Sequence, residues 1–79
     1  MISYEPFYKT LYERGITEYH LIHVEGVSAN TLFRMKKGKP ITTKTINKLC
    51  FILDCEVSDI ICHDKGVDGE GVDDLVHAA

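Results

Sequence analysis

The sequence predicts an all-α fold, a compact arrangement of five short helices followed by a flexible acidic C-terminal tail. Apolar residues recur at helical spacing, and the strict alternation of a half-buried strand never continues for more than a few positions. A chain of 79 residues supports a single hydrophobic core. We therefore expect one domain over residues 1–63 and a disordered tail, rich in Gly and acidic residues, over residues 64–79.

Gly15 separates the first two predicted helices. The first covers about residues 4–14, because Pro6 is tolerated in a first turn that has no intrahelical acceptor to lose. Gly15 suits the left-handed residue that stops a helix. Thr17 is expected to cap a second helix, which ends at Gly26. The residues expected to face the core from these two helices are Phe7, Leu11, Leu21 and Val24.

The third helix is predicted to begin at Ser28, whose hydroxyl can accept a hydrogen bond from the amide of Thr31. Only Gly26 and Val27 separate it from the predicted end of the second helix. A left-handed glycine in so short a connection forces a steep angle between the helices instead of an antiparallel hairpin. The sequence therefore predicts a helix-turn-helix.

A fourth and a fifth helix complete the predicted fold. The fourth follows the segment GKPIT and is capped by Thr42 or Thr43. Its apolar residues, at i, i+3, i+4 and i+7, are Ile46, Leu49, Cys50 and Leu53. The fifth is predicted in EVSDIICH, with Ser58 as its cap. The residues expected to close the core from it are Val57, Ile60 and Ile61.

Positive charge is concentrated in a window, Gly26 to Leu53, that contains no Asp or Glu. Residues 1–63 carry 8 Lys and Arg against 7 Asp and Glu, whereas residues 64–79 have a balance of −4. The overall net charge of −3 therefore conceals a basic patch. Its cations are Arg34, Lys36, Lys37, Lys39, Lys44 and Lys48.

One face of the third helix carries an amide, an aromatic ring, a guanidinium and an ammonium, opposite the apolar Leu32 and Met35. These groups belong to Asn30, Phe33, Arg34 and Lys37, which recur at i, i+3, i+4 and i+7. Arg can read guanine and Asn can read adenine in the major groove, and an apolar group can rest against a thymine methyl. The pattern favours DNA recognition, although a merely solvated helix face remains the alternative.

The segment TEYHLIHVEGVSANTLFRMKKG resembles the helix-turn-helix of Cro and the phage repressors, the XRE-like family. The matching positions are Thr17, Leu21, Gly26, Val27, Ser28, Leu32 and Gly38. Glu18 stands where the family usually has Gln, a residue that commonly touches a DNA phosphate, and Ile22 stands where a small Ala is usual. The resemblance covers about residues 3–63. It implies a compact five-helix, lambda-repressor-like domain and a sequence-specific transcriptional regulator, with a repressor the expected kind.

The predicted DNA site has two parts. The resemblance implies that Ala29, Asn30 and Arg34 meet base edges, Ala29 through its methyl group alone, and the outward face adds Phe33. The residues expected to contact phosphates are Thr17, Lys37, Lys39, Thr43 and Lys44. The last two open the fourth helix, whose N-terminal amides suit a phosphate oxygen.

Cysteine and histidine spacing gives no sign of catalysis or of metal binding. Cys50, Cys55 and Cys62 fit neither a disulfide framework nor a zinc site and are typical of a reducing, cytoplasmic environment. His20 and His23 lie one helical turn apart with no third ligand beside them. No activated nucleophile and no glycine-rich phosphate loop is recognisable. We expect no enzyme, no cofactor, no metal, no signal peptide and no membrane span.

Two functions remain open at this point. The leading hypothesis is a regulator that binds double-stranded DNA as a homodimer, because one recognition helix reads too few base pairs to be selective. The dimer contact is expected at the fifth helix, with Ile60 or Ile61 at the surface. The alternative is a protein-interaction module, such as an antitoxin-like or antirepressor protein, which Glu18, Phe33 and the acidic tail favour.

Overall fold

The computed structural model describes residues 1–65, and four α-helices form their frame. These are α1 (Glu5–Arg14), α2 (Glu18–His23), α3 (Ala29–Lys36) and α4 (Thr43–Leu53). A 3₁₀ turn over Val57–Asp59 follows α4, and two short strands, β1 (Ile2–Ser3) and β2 (Cys62–His63), pair antiparallel. Of the predicted acidic tail, only residues 64 and 65 fall within the described part of the chain.

The side chains that begin α2 and α3 are those that the sequence predicts. Thr17 Oγ1 accepts a hydrogen bond from the amide of His20 at 3.0 Å. Ser28 Oγ accepts from the amide of Asn30 at 3.1 Å, so the expected partner, the amide of Thr31, is wrong by one residue. Either bond satisfies one of the amides that the first turn of a helix leaves without an acceptor.

The ends of α1 and α2 differ in how well the sequence predicts them. Gly15 ends α1 in the predicted left-handed conformation, with φ 66°. The second helix is shorter than predicted, because α2 ends at His23 and not beside Gly26. The amides of Val24 and Glu25 both donate to the carbonyl of His20, at 2.9 and 3.2 Å, and the second of these bonds spans five residues, so the regular i to i−4 pattern ends there.

The core lies where the four helices and the 3₁₀ turn meet. Its buried apolar residues are Tyr4, Phe7, Leu11, Leu21, Val27, Leu32, Met35, Leu49, Leu53 and Ile60. The prediction that Val24 and Val57 face the core is wrong, since Val24 is 66% exposed and Val57 is 52% exposed. Val24 follows the shortened α2, and Val57 opens the 3₁₀ turn, so neither keeps the helical register on which its prediction rested.

The prediction of a fifth α-helix is also wrong, because this segment forms a single 3₁₀ turn. The turn is closed by Asp59 Oδ2, which accepts from the amide of Glu56 at 3.0 Å, so Ser58 is not its cap. The chain then extends into β2, where Ser3 lies opposite Cys62 and Ile2 opposite His63. This sheet departs from the all-α prediction, and it ties the start of the described chain to its end.

Two polar side chains of α1 hold the C-terminal half of the domain. Arg14 donates from Nη1 to the carbonyl of Leu53 and from Nη2 to that of Asp54, the latter at 3.3 Å. The hydroxyl of the buried Thr10 donates to the carbonyl of Asp59 at 2.8 Å. The sequence gives Arg14 no particular role, yet its guanidinium satisfies carbonyls that the end of α4 leaves without a donor.

Candidate nucleic-acid interface

The turn between α2 and α3 depends on one glycine and one buried valine. Gly26 has φ 76°, and a Cβ placed there would meet no atom within 4 Å, so its backbone conformation and not lack of space favours glycine. The amide of Val27 donates to the carbonyl of Leu21 at 2.8 Å, and its side chain is buried between the helices. Lys48 Nζ reaches from α4 to the carbonyl of Gly26 at 3.3 Å. Val27 thus fills the corner between the two helices, and α4 supports the turn.

The outward face of α3 lies in solvent, as its periodicity predicts. Ala29 and Asn30 are exposed, and Phe33 is 55% exposed although it is a large aromatic residue. Lys37 Nζ lies 5.5 Å from the centroid of the Phe33 ring, within the range of a cation–π contact. The opposite side of the helix is fully packed in the core. An aromatic ring and a cation are therefore held together on a surface without nearby carboxylates from α3 or α4.

Arg34 occupies a different position from the one that a free base-reading side chain would take. It is half-buried, and its Nη2 donates to the carbonyl of Pro40 at 2.8 Å. The bond links the last turn of α3 to the loop that leads into α4. A guanidinium has five N–H donors, so the contact with Pro40 leaves others available.

The loop after α3 and the start of α4 carry the remaining predicted phosphate contacts. Lys37, Lys39, Thr43 and Lys44 are all exposed. The hydroxyl of Tyr4 donates to the carbonyl of Lys39 at 2.6 Å, which fixes the backbone of this loop against the core.

The cap of α4 is Thr42, the first of the two threonines that the sequence allows. Its Oγ1 accepts from the amide of Thr45 at 3.1 Å. Thr43 is therefore the first residue of α4, with its side chain in solvent and not engaged as the cap. The hydroxyl of Thr17, by contrast, serves as the cap of α2.

A shallow groove of about 400 Å³ joins these parts of the surface. It runs between the last turns of α3 and the start of α4, with Arg34 on one wall. The other lining residues are Thr31, Pro40, Ile41, Thr42 and Thr45. The groove places the guanidinium of α3 beside the polar first turn of α4.

Sequence reasoning missed the ion pair between α2 and α3. Glu18 Oε2 lies 3.0 Å from Lys36 Nζ, so the carboxylate that departs from the family pattern is met by a cation of the acid-free window. The unusual Glu18 was the signal, but a partner 18 positions along the chain becomes evident only once the helices are packed. Glu18 also acts on Tyr8, whose hydroxyl pKa is raised first by burial and then by this carboxylate.

Cys55, His20 and His23 have partners of their own within the fold. Burial, followed by the neighbouring Cys50, raises the pKa of the Cys55 thiol to about 11, so the thiol is protonated at neutral pH. His20 Nε2 lies 3.3 Å from Glu25 Oε2, and His23 packs against Tyr19 with ring centroids 4.3 Å apart. Residues 1–65 contain no group of three His, Cys, Asp or Glu side chains arranged to hold a metal ion. Within the same residues, no helix combines the length and the apolar character that crossing a membrane needs.

A helix-turn-helix whose second helix presents an exposed cationic face is the defining feature of one class of DNA-binding transcriptional regulators. Residues 9–66 match the Cro/C1-type HTH DNA-binding domain, and the chain belongs to this family. The predicted family is thereby confirmed. The chain is also similar to transcriptional regulator VanUg in its crystal form II, with 28% sequence identity and a TM-score of 0.70. This similarity covers 77% of the present chain and 81% of the other. Comparison with the curated proteins gives no match.

Proposed function

We propose that the protein is a sequence-specific transcriptional repressor that reads the DNA major groove with α3. The observation that carries this proposal is the exposed face of α3, where the amide of Asn30, the ring of Phe33 and the ammonium of Lys37 lie in solvent, on a helix whose other side is packed in the core. An α-helix fits the major groove, and these side chains match the donor and acceptor patterns of base edges. A domain seated on an operator in this way represses by occluding the DNA.

Base recognition is assigned to Ala29, Asn30, Phe33 and Arg34. Asn30 is exposed in the first turn of α3, where its amide can pair with adenine N6 and N7. Phe33 offers an apolar surface for a thymine methyl, and Lys37 above its ring adds a charge for the adjacent phosphate. Arg34 can reach guanine with the N–H groups that the carbonyl of Pro40 does not use.

Phosphate contacts are assigned to Thr17, Lys37, Lys39, Thr43 and Lys44. Thr17 accepts from the amide of His20 and keeps its own hydroxyl hydrogen for a phosphate oxygen. Lys39 and Lys44 are exposed on either side of the loop that Tyr4 holds in place. These contacts set the position of α3 on the duplex and carry no sequence information of their own.

Salt dependence of binding tests this division directly. If about four to six cations meet phosphates, log K should fall with log salt at a slope of about −0.9 per contact. We expect an electrophoretic shift of bulk DNA at low salt that is lost at moderate salt. A slope near zero would contradict the proposal that the protein binds DNA through phosphate contacts.

We also propose that the protein binds DNA as a homodimer through α4 and the segment after it. Ile60, predicted as a contact, is fully buried in the core of its own chain and cannot serve. Phe51 is 86% exposed and Val57 is 52% exposed. Beside them lies a groove of about 310 Å³, lined in part by Ile46, Cys50, Cys55 and Ile61. A two-fold contact uses the same self-complementary patch on both copies, and this surface offers a projecting ring and a recess.

Light scattering tests the dimer on the free protein and on a bound duplex. Phe51→Glu should weaken self-association, since it places a charge in an apolar contact, while Tyr12→Glu, an equally exposed aromatic on α1, should not. A wild-type protein that remains monomeric on its best duplex contradicts the dimer.

The second candidate function is a protein-interaction module of the antitoxin-like or antirepressor kind. Its support is the exposed Phe33 in the middle of the cationic face, because aromatic residues are enriched at protein interfaces. The acidic residues beyond position 65 are a further candidate contact for a protein partner. Absence of any DNA shift at low salt favours this function over the first.

A further inference from the structure

Glu18 and Lys36 form an ion pair between the two helices of the helix-turn-helix, at the ends that lie away from the turn. Glu18 begins α2, Lys36 ends α3, and their charged atoms lie 3.0 Å apart. Both side chains reach solvent, at 34% and 55% exposure. The pair therefore lies at the surface, one residue before Lys37 of the proposed DNA contact.

A carboxylate at this place opposes the approach of a polyanion. At about 4 Å from a phosphate in water, an unpaired carboxylate weakens binding about fivefold by Coulomb repulsion alone. When a cation lies against the carboxylate, the two charges largely cancel at a distance, and most of this repulsion disappears. Lys36 is the cation in that position.

We propose that Lys36 is an internal counter-ion for Glu18 and thereby a positioning residue, which lets the α2–α3 surface approach DNA without contacting a phosphate itself. This inference rests on the proposed function. It assigns Lys36 a role distinct from that of Lys37, Lys39 and Lys44, although all four belong to the same acid-free window.

The role can be separated from a structural one, because an exposed ion pair contributes little to folding. Variants at either position should unfold within a few degrees of the wild type, while their affinities for DNA should change. If the ion pair were only a structural contact, the variants would lose thermal stability and keep their affinity for DNA.

The test is a double-mutant cycle with Glu18→Gln and Lys36→Gln, read as affinity for the best-binding duplex at about 50 mM salt and again at about 200 mM. Lys36→Gln alone should weaken binding about fivefold or more at the lower salt. In the Glu18→Gln background the same substitution should cost no more than about twofold, because only a distant attraction is lost.

Two further variants sharpen the test. Glu13→Gln makes the same charge change on α1, in a groove shared with Lys9 and Asp59, and should raise affinity less than Glu18→Gln does. The reversed pair, Glu18→Lys with Lys36→Glu, keeps a neutral pair between the start of α2 and the end of α3 and should bind about as well as the wild type.

Equal losses from Lys36→Gln in both backgrounds, or a reversed pair that no longer binds, would overturn the inference and make Lys36 a direct phosphate contact. Either result leaves the proposed function standing, since the wild type still binds. A wild type that binds no duplex overturns both.

Discussion

Replacing Arg34 with Ala removes two separable contributions. The bond from Arg34 Nη2 to the carbonyl of Pro40, 2.8 Å long and exposed, should contribute about 0.5–1.5 kcal/mol to the free energy of unfolding. For a domain of this size that loss lowers Tm by roughly 2–12 °C. If the same guanidinium also reads guanine, binding to the best duplex weakens by about 1–3 kcal/mol, or about 5–150-fold.

The assay measures both effects on the same variant. Thermal unfolding reports the loop contact, and fluorescence anisotropy with a set of duplexes, each changed at one base pair, reports base recognition. Arg34→Ala should relax preference at one position. Lys44→Ala is the matched control, because removal of a phosphate contact weakens all sequences alike.

Two results would refute this reasoning independently. Equal, sequence-independent losses of affinity from Arg34→Ala and Lys44→Ala would remove Arg34 from base recognition. An unchanged Tm would mean that the bond to Pro40 adds nothing to the stability of the fold in solution.

Three further predictions concern the fold and its charge. Gly26→Ala should cost about 1–2 kcal/mol in urea unfolding, because its φ of 76° is strained for any Cβ and no clash adds to it; a loss above about 4 kcal/mol would indicate a clash after all. Cys55 has a folded pKa of about 11 against an ordinary value of 9.0, so the stability it contributes is present below pH 9 and lost as pH rises towards 11. This loss should be absent in Cys55→Ala. Truncation after Lys65 removes a net charge of −4 and should tighten DNA binding modestly at low salt, without changing sequence preference; equal affinity at every salt concentration contradicts it.

The helices were predictable because their signals are local. Apolar spacing, the caps at Thr17 and Ser28 and the left-handed Gly15 each act within a few residues. The sheet was not, since strands of two residues are too short to show alternation, and Ile2 meets His63 only after the chain has folded. The fifth helix was overpredicted for a related reason. EVSDIICH has helical spacing, but the bond from the amide of Glu56 to Asp59 Oδ2 closes a single turn. The chain then pairs as β2 with β1, so no α-helix forms in this segment.

The candidate site, like the fold, is predictable from the sequence only in part. The outward face of α3 follows from helical periodicity, and the absence of carboxylates from Gly26 to Leu53 is visible in the sequence alone. Tertiary packing selects the partners of the long side chains. Arg34 reaches Pro40, Lys36 reaches Glu18, and Lys48 reaches Gly26, and each contact depends on the angle between two helices or on the path of a loop. Residue type and spacing do not encode such angles.

Selection of bound sequences from a random pool of DNA duplexes tests the central claim most directly. A repressor that reads the major groove through α3 as a two-fold dimer should enrich a palindromic motif, with half-sites about one helical turn apart. Substitution of Asn30 or Arg34 should then relax preference at particular positions within each half-site. A pool that shows no enrichment after repeated rounds at low salt would contradict sequence-specific recognition by this face.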